Sequence, residues 1–354
     1  MVDILPDTRI WPLRDKDIWT NYNINVINRT IKAHYPLVLD DSTQAVVVHC
    51  GSSSTLVTRV SPSIAKLPIY TPPKADVQNN VDNTSSPEEH ERPNVIYLML
   101  DAVSRRHFLR RLPKSAKVFS AIHQPGANRI TELFRYHSVG FSTENNTKAM
   151  YLGEIYPSNP KSLPIWGYFR DKGYVTARVD TGCDDWVREF HYKAFYNTSV
   201  SERTLDYEFT APFCLPECFP ERGNPFGNFK GPYSLVSRCI YGRYVHEWAF
   251  EYLHKFRQEM RLHSISGKSK RRPYMISITF MEGHEGSSEV LRTVDDALAT
   301  FLQEIHDSGE LKDTVLIVGG DHGLHMGLNF AYLQNGRIEH QNPFFAMSAP
   351  EWLY

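Results

Sequence analysis

The chain runs to 354 residues with 41% hydrophobic and 22% charged side chains, enough apolar material for one large domain or a large domain with a small companion. Its 39 Lys and Arg nearly cancel its 40 Asp and Glu, so no overall field draws it to nucleic acid or to an anionic membrane. The basic run Lys268-Ser-Lys-Arg-Arg272 reads as a solvated loop ahead of an apolar strand, and no stretch reaches the ~18 apolar residues of a spanning helix.

In chain order, Gln44-Ala-Val-Val-Val-His-Cys50 and Thr55-Leu-Val-Thr-Arg-Val60 are short and rich in β-branched residues, which predicts strands of a small β-rich lobe over residues 1–70. Residues 71–93 are polar and Pro-rich, a linker or exposed loop. A different texture begins at Asn94. Val95-Ile-Tyr-Leu-Met-Leu100 is continuously apolar, as in a strand buried on both faces. Helical segments follow around 105–122 and over 163–171, and Gly173-Tyr-Val-Thr-Ala-Arg-Val-Asp180 is a further strand. Over 244–256, Val245, Trp248, Ala249, Tyr252, Leu253 and Phe256 share one helical face. Tyr274–Phe280 is another buried strand, 286–306 a helix with Val290, Val294, Ala297, Leu298, Phe301 and Ile305 at helical spacing, and Thr314–Val318 a fourth strand. Strands alternating with helices predict an α/β domain over 94–354: a mostly parallel central sheet with helices on both faces.

Three of these strands end in potential metal ligands: Asp101, then Glu282 and His284, then Asp321 and His322. In open α/β sheets the ligand crevice lies beyond the carboxyl ends of the strands, so these groups should converge. Carboxylate and imidazole without thiolate suit zinc or a similar divalent ion. A single Asp after a strand is most often a loop or helix cap; three strands ending this way are harder to dismiss. His325 lies one helical turn after His322 and is a candidate substrate contact, with an exposed loop histidine as the alternative.

Asn94-Val-Ile-Tyr-Leu-Met-Leu-Asp-Ala-Val-Ser-Arg105, together with Gly320-Asp-His-Gly323 and Ile338-Glu-His-Gln-Asn-Pro-Phe-Phe345, resembles the alkaline phosphatase/sulfatase superfamily, and within it the eukaryotic sulfatase-like domain of unknown function 229 family. The resemblance spans roughly residues 94–350 and implies an alkaline phosphatase-like fold with two divalent metal ions, zinc by its ligand type. It also implies a nucleophile at a helix start, which Ser142-Thr-Glu-Asn-Asn146 can supply: Thr143 as nucleophile and Asn146, three residues on, aiming its amide at a substrate oxygen. The rival reading makes Ser142 or Thr143 a plain N-cap. The Cys/Ser-x-Pro-x-Arg signature of true sulfatases is absent, which favours phosphoryl chemistry. For the second metal the resemblance points to Met281-Glu-Gly-His-Glu285, with His284 ahead of Glu282, and it adds His340 as a metal-binding or substrate-facing residue.

The expected activity is hydrolysis of a phosphate or sulfate ester of a glycan, a lipid or a small molecule; the rivals are a phosphoethanolamine-type transferase and an inactive secreted glycoprotein of the same fold. Cys50, Cys183, Cys214, Cys218 and Cys239 form no CxxC pair, and four sequons stand at Asn28, Asn83, Asn145 and Asn197. These predict an exported protein, secreted or membrane-anchored and facing the lumen or exterior, with Cys214 or Cys218 crosslinked to Cys183 or Cys239. Met1-Val-Asp-Ile-Leu-Pro lacks a leader's basic and apolar regions, so the signal or anchor is expected to be missing from this chain, and relatives are expected to continue beyond Tyr354.

Overall fold

The computed structural model describes residues 8–13, 31–32, 43–50, 53–60, 92–123, 125–153, 164–182, 205–214, 239–265, 272–287 and 289–354. The linker expected over 71–93 lies outside these residues except at its last two positions.

The N-terminal part forms a four-stranded antiparallel sheet of β1 (Thr8–Leu13), β2 (Ile31–Lys32), β3 (Ala45–Cys50) and β4 (Ser53–Thr58), in the order β2-β1-β3-β4. The larger part follows with β5 (Asn94–Leu100), α1 (Arg105–Arg111), α2 (Pro113–Ala121), β6 (Asn128–Glu132), α3 (Thr143–Leu152), α4 (Ile165–Asp171), β7 (Val175–Asp180) and β8 (Tyr207–Phe209). It continues with the two-residue pair β9 (Cys239–Ile240) and β10 (Arg243–Tyr244), then α5 (Val245–Ile265), β11 (Tyr274–Phe280), α6 (Asp295–Asp307), β12 (Thr314–Gly319), α7 (Gly327–Tyr332), α8 (Gln334–Gln341) and β13 (Phe345–Pro350). The central sheet has seven strands in the order β6-β13-β12-β5-β11-β7-β8, and of these β13 alone runs against the rest.

Alternate residues of β5 enter two separate apolar clusters, which explains its unbroken hydrophobic run. Ile96, Leu98 and Leu100 pack with Phe108 of α1, Leu253 and Phe256 of α5 and Leu298 and Leu302 of α6. Tyr97 and Met99 face the other way, onto Tyr151 of α3 and Trp166 of α4. The N-terminal sheet sends Ala45, Val47 and Leu56 into the first of these clusters. Tyr252 of α5 donates from its hydroxyl to Gln44 Oε1 at 3.0 Å.

The expected helix over 286–306 is shorter and later. Val290–Val294 is a 3-10 turn and the α-helix starts at Asp295. Ser287 donates its N–H to Glu285 Oε1 at 2.8 Å, a local turn that competes with helix. Asp295 does not cap its own helix. Its carboxylate accepts from the N–H groups of Ser115 (2.8 Å) and Lys114 (3.1 Å), capping α2, whose own N-cap Leu112 has no side-chain acceptor.

Cys239 is an exposed free thiol, so the expected crosslink through it is not formed. Cys183 and Cys218 lie outside the described residues, as do the side chains of Cys50 and Cys214. Among the described residues no helix is long and apolar enough to cross a membrane.

Candidate active site

Strand order places the ends of β12, β5, β11 and β7 side by side, so the residues that follow them share one edge of the sheet. Asp101 follows β5 and is fully buried. The chain then turns through Ala102 at φ 59°, a left-handed conformation that a side chain disfavours, and Ala102 donates its N–H to Asp321 Oδ1 at 3.2 Å. Gly283, after β11, passes against this turn: a Cβ there would lie 2.3 Å from the Asp101 carbonyl oxygen.

Thr143 is the first residue of α3 and is buried. Its hydroxyl lies 3.0 Å from His322 Nε2 and 3.3 and 3.4 Å from the two carboxylate oxygens of Asp101. The N-cap itself is Ser142, and its hydroxyl makes no cap bond but donates to Asn145 Oδ1 at 3.2 Å. The two adjacent hydroxyls therefore have different destinations, and only that of Thr143 enters the cluster.

His322 Nδ1 stands 2.7 Å from the Gly323 carbonyl oxygen. A carbonyl can only accept, so Nδ1 carries a proton, and Nε2 is the nitrogen turned to Thr143, Asp101 and Asp321. Ligand atoms of Asp101, Asp321 and His322 lie within 4.8 Å of one another, all three residues being buried. Asp321 Oδ2 is buried without a hydrogen-bond partner among the described residues. Burial, and then the charge of Asp321, push the Asp101 carboxyl well above its usual range, against the lowering effect of the Thr143 hydroxyl. Two buried carboxylates, one imidazole nitrogen and a hydroxyl facing one point form a donor set that fits a divalent cation.

A second group adjoins it. His322, His325 and His340 each offer a ring nitrogen within 4.8 Å of the others. The His284 ring centroid is 4.9 Å from that of His325, and Nδ1 of both residues is buried without a hydrogen-bond partner among the described residues. Burial first and the neighbouring imidazoles second push His284 and His325 each down to about 3, so both are neutral and able to ligate at neutral pH. Burial also lowers His340, whose Nε2 donates to the Phe141 carbonyl at 2.9 Å, so that in the neutral ring Nδ1 holds the lone pair for a metal. His325 thus sits among ligand-type nitrogens, not on an exposed loop.

Two expected site residues go elsewhere. Glu282 points to His246 of α5, with Oε1 2.9 Å from Nδ1, and does not join either group. Asn146 is buried and spends its whole amide on the loop before α3. Its Oδ1 accepts from the N–H groups of Val139 (2.8 Å) and Gly140 (2.9 Å), while Nδ2 donates to the carbonyls of Gly140 and Ser142, both at 3.0 Å. It fixes the approach to Thr143 instead of facing a substrate oxygen. Gly140 is needed in that loop, since a Cβ would fall 2.3 Å from that of Asn145.

Sequence reasoning missed the strained Ala102 and the Phe141 carbonyl that fixes His340. Neither had a signal, since a carbonyl is the same on every residue. Ser104 and Arg105 of the Asp-x-x-Ser-Arg pattern are structural: Ser104 Oγ accepts from His107 N–H and donates to Glu339 Oε2, both at 3.0 Å, and Arg105 pairs with Glu132. Of the sequons, only Asn145-Asn-Thr147 lies in the described residues, inside α3, where the Thr147 hydroxyl is buried on the Thr143 carbonyl at 2.6 Å.

The chain belongs to the family described as Protein of unknown function (DUF229), whose model matches residues 14–354, in line with the resemblance read from Asp101–Arg105 and Gly320–Gly323. No curated protein matches it. Its backbone is similar to the lipoteichoic acid synthase LtaP from Listeria monocytogenes, at 14% identity over 74% of this chain and 66% of that one, TM-score 0.45. It is also similar to a protein in the alkaline phosphatase superfamily from Vibrio parahaemolyticus, at 14% identity over 74% and 61%, TM-score 0.45. A third similarity is to the C-terminal periplasmic domain of EcEptC from Escherichia coli, at 9% identity over 74% and 73%, TM-score 0.46. The chain thus spans just under two thirds of the first two structures.

Proposed function

We propose that this chain is a metal-dependent hydrolase of phosphate or sulfate esters with Thr143 as its nucleophile. The observation that carries the reading is the buried Thr143 hydroxyl at a helix N-terminus, 3.0 Å from an imidazole nitrogen and 3.3 Å from a carboxylate. Asp101, Asp321, His322 and Thr143 would hold one divalent ion; His325 and His340, with His284 adjoining, would hold a second, zinc in both cases by ligand type. When bound, such ions supply charge neutralisation and lower the pKa of a coordinated hydroxyl.

The chain's own residues do the rest. The first amides of α3 face the developing negative charge, and the helix dipole favours an anion at this end. Thr143 Oγ, having lost its proton to solvent, forms a bond to the phosphorus or sulfur of the ester. The bond to the departing alcohol oxygen breaks, and that oxygen takes a proton from solvent. Water then displaces Thr143, returning the enzyme and free phosphate or sulfate. Asn146 holds the 139–142 loop so that Thr143 stays aimed at Asp101 and His322.

Metal analysis combined with nitrophenyl phosphate monoester, diester and sulfate substrates tests this. Stoichiometric zinc and turnover that falls at least about 1,000-fold in Thr143→Ala are the expected results. Turnover surviving in Thr143→Ala, or lost instead in Ser142→Ala, would overturn the assignment.

A further inference from the structure

A cavity of about 570 Å³ opens beside the metal-ligand cluster, and His340 belongs to both. Its walls come from the 137–141 loop on one side and from α7 and α8 on the other. Val139, Phe141 and Phe330 supply the apolar surface, Arg337 the permanent positive charge, and among the described residues the lining includes no carboxylate. Val139 is 57% and Phe141 59% exposed, a concentration of uncovered apolar surface at the mouth of a polar site.

Phe141 joins the two halves. Its ring centroid lies 5.0 Å from that of His340 and 5.2 Å from that of His325, and 5.9 Å from Phe330 in an edge-on arrangement. One aromatic wall therefore runs from the ligand histidines into the cavity. Arg337 donates to the Ala331 carbonyl at 3.3 Å and, among the described residues, has no carboxylate partner. A cavity whose described walls are cationic and aromatic without a carboxylate, and which is continuous with a site built for an anion, complements an anion that carries an apolar group.

We infer that the ester processed at this site carries an aromatic or comparably bulky apolar organic group, seated between Phe141, Phe330 and Val139, with Arg337 attracting its anionic part. The inference rests on the proposed ester chemistry at Thr143, but its test reads binding. Phenylphosphonate and methylphosphonate share the anionic head and differ only in the organic group, and neither has an ester bond to cleave. Titration calorimetry on the zinc-loaded wild-type chain should show the phenyl compound bound on the order of tenfold more tightly.

Phe330→Ala should bring that ratio below about twofold, and Val139→Ser should lower it without abolishing it. Arg337→Met should weaken both compounds together and leave the ratio standing. Equal affinities in the wild-type chain would overturn the inference before any variant is made, as would a ratio unchanged in both Phe330→Ala and Val139→Ser. Thr143-dependent turnover with a ratio near one would sink the substrate class alone. A tenfold ratio without Thr143-dependent turnover would sink the proposed reaction, and with it the substrate class built on it.

Discussion

Two buried ionic clusters sit on the same edge of the central sheet and answer the burial of charge in opposite ways. In the last residues of β7, Arg178 and Asp180 pair directly, each 1% exposed, and Glu208 of β8 stands 3.7 Å from the other end of the guanidinium. Beyond β5 and β12, Asp101 and Asp321 are equally buried, but among the described residues the side-chain nitrogen that faces both is Nε2 of His322, at 3.9 and 3.4 Å. The first cluster contains its cation and the second has a place for one. Burial raises Asp180 more than Arg178 lowers it, so even the completed cluster is strained by desolvation. Asp101, with no cationic side chain in its cluster, is driven further in the same direction by its neighbour Asp321. A buried charge is therefore a poor guide to function by itself; whether its cluster already holds a cationic side chain is the better guide.

Removing the cation of the completed cluster should have the largest effect on stability. Arg178→Met strands Asp180 and Glu208 in the core, and the expected loss is about 3–5 kcal/mol, read as a fall in the urea midpoint or as insoluble expression. A loss below about 1 kcal/mol would mean that water reaches Asp180 and that the two clusters differ less than the structure implies.

Asp321→Asn does the reverse, removing one of two facing carboxylates. The metal-free variant should melt no lower than the metal-free wild type, since a repulsion has gone. Its zinc affinity should fall by at least about 100-fold, so that added zinc no longer raises its melting temperature. A variant that melts far lower without metal would assign Asp321 to the scaffold, through its bonds to the N–H groups of Ala102 and His322.

The strands of this edge were legible in the sequence because residues 95–100 are apolar throughout and Tyr274–Phe280 is broken only by the small residues Ser277 and Thr279, the texture of strands buried on both faces. The end-of-strand rule then brought Asp101, Asp321, His322 and His284 to one place. It failed for Glu282, because a side chain two residues past a strand can turn to either side, and here His246 on α5 draws it away. The spacing of Thr143 to Asn146 located the helix start but not the use of the amide. Whether Asn146 faces a substrate or its own backbone depends on the path of residues 139–142, which no local pattern encodes.

Asn146→Ala puts that role to the test. Four backbone groups lose their partner, two of them N–H groups of the loop, so a stability loss of about 1–3 kcal/mol is expected. Turnover should fall with kcat as the loop releases Thr143, and Asn146→Asp, which keeps the two accepted bonds, should lie between alanine and wild type. A change confined to KM would return Asn146 to the substrate.

The smallest expected effect lies outside both clusters, where β4 of the N-terminal sheet meets α5. Glu251 accepts from Thr58 of β4, from Lys255 at 2.8 Å and from Arg243. Burial raises its carboxyl, but Lys255, Thr58 and Arg243 together outweigh this and bring it down to about 2. A folded-state value below the unfolded one means that the unfolded chain binds the proton more readily, so the linked stability is complete above about pH 4.5 and disappears as pH falls toward about 2. The gap between wild type and Glu251→Gln should therefore be widest near neutral pH and close in acid. Because the carboxylate is partly open to solvent, about 1 M salt should narrow the gap at pH 7 as well. Urea midpoints of the two proteins at pH 7, 4 and 2.5 measure it directly, and a gap that is the same at all three would show that this contact holds the N-terminal sheet by packing and hydrogen bonding instead of charge.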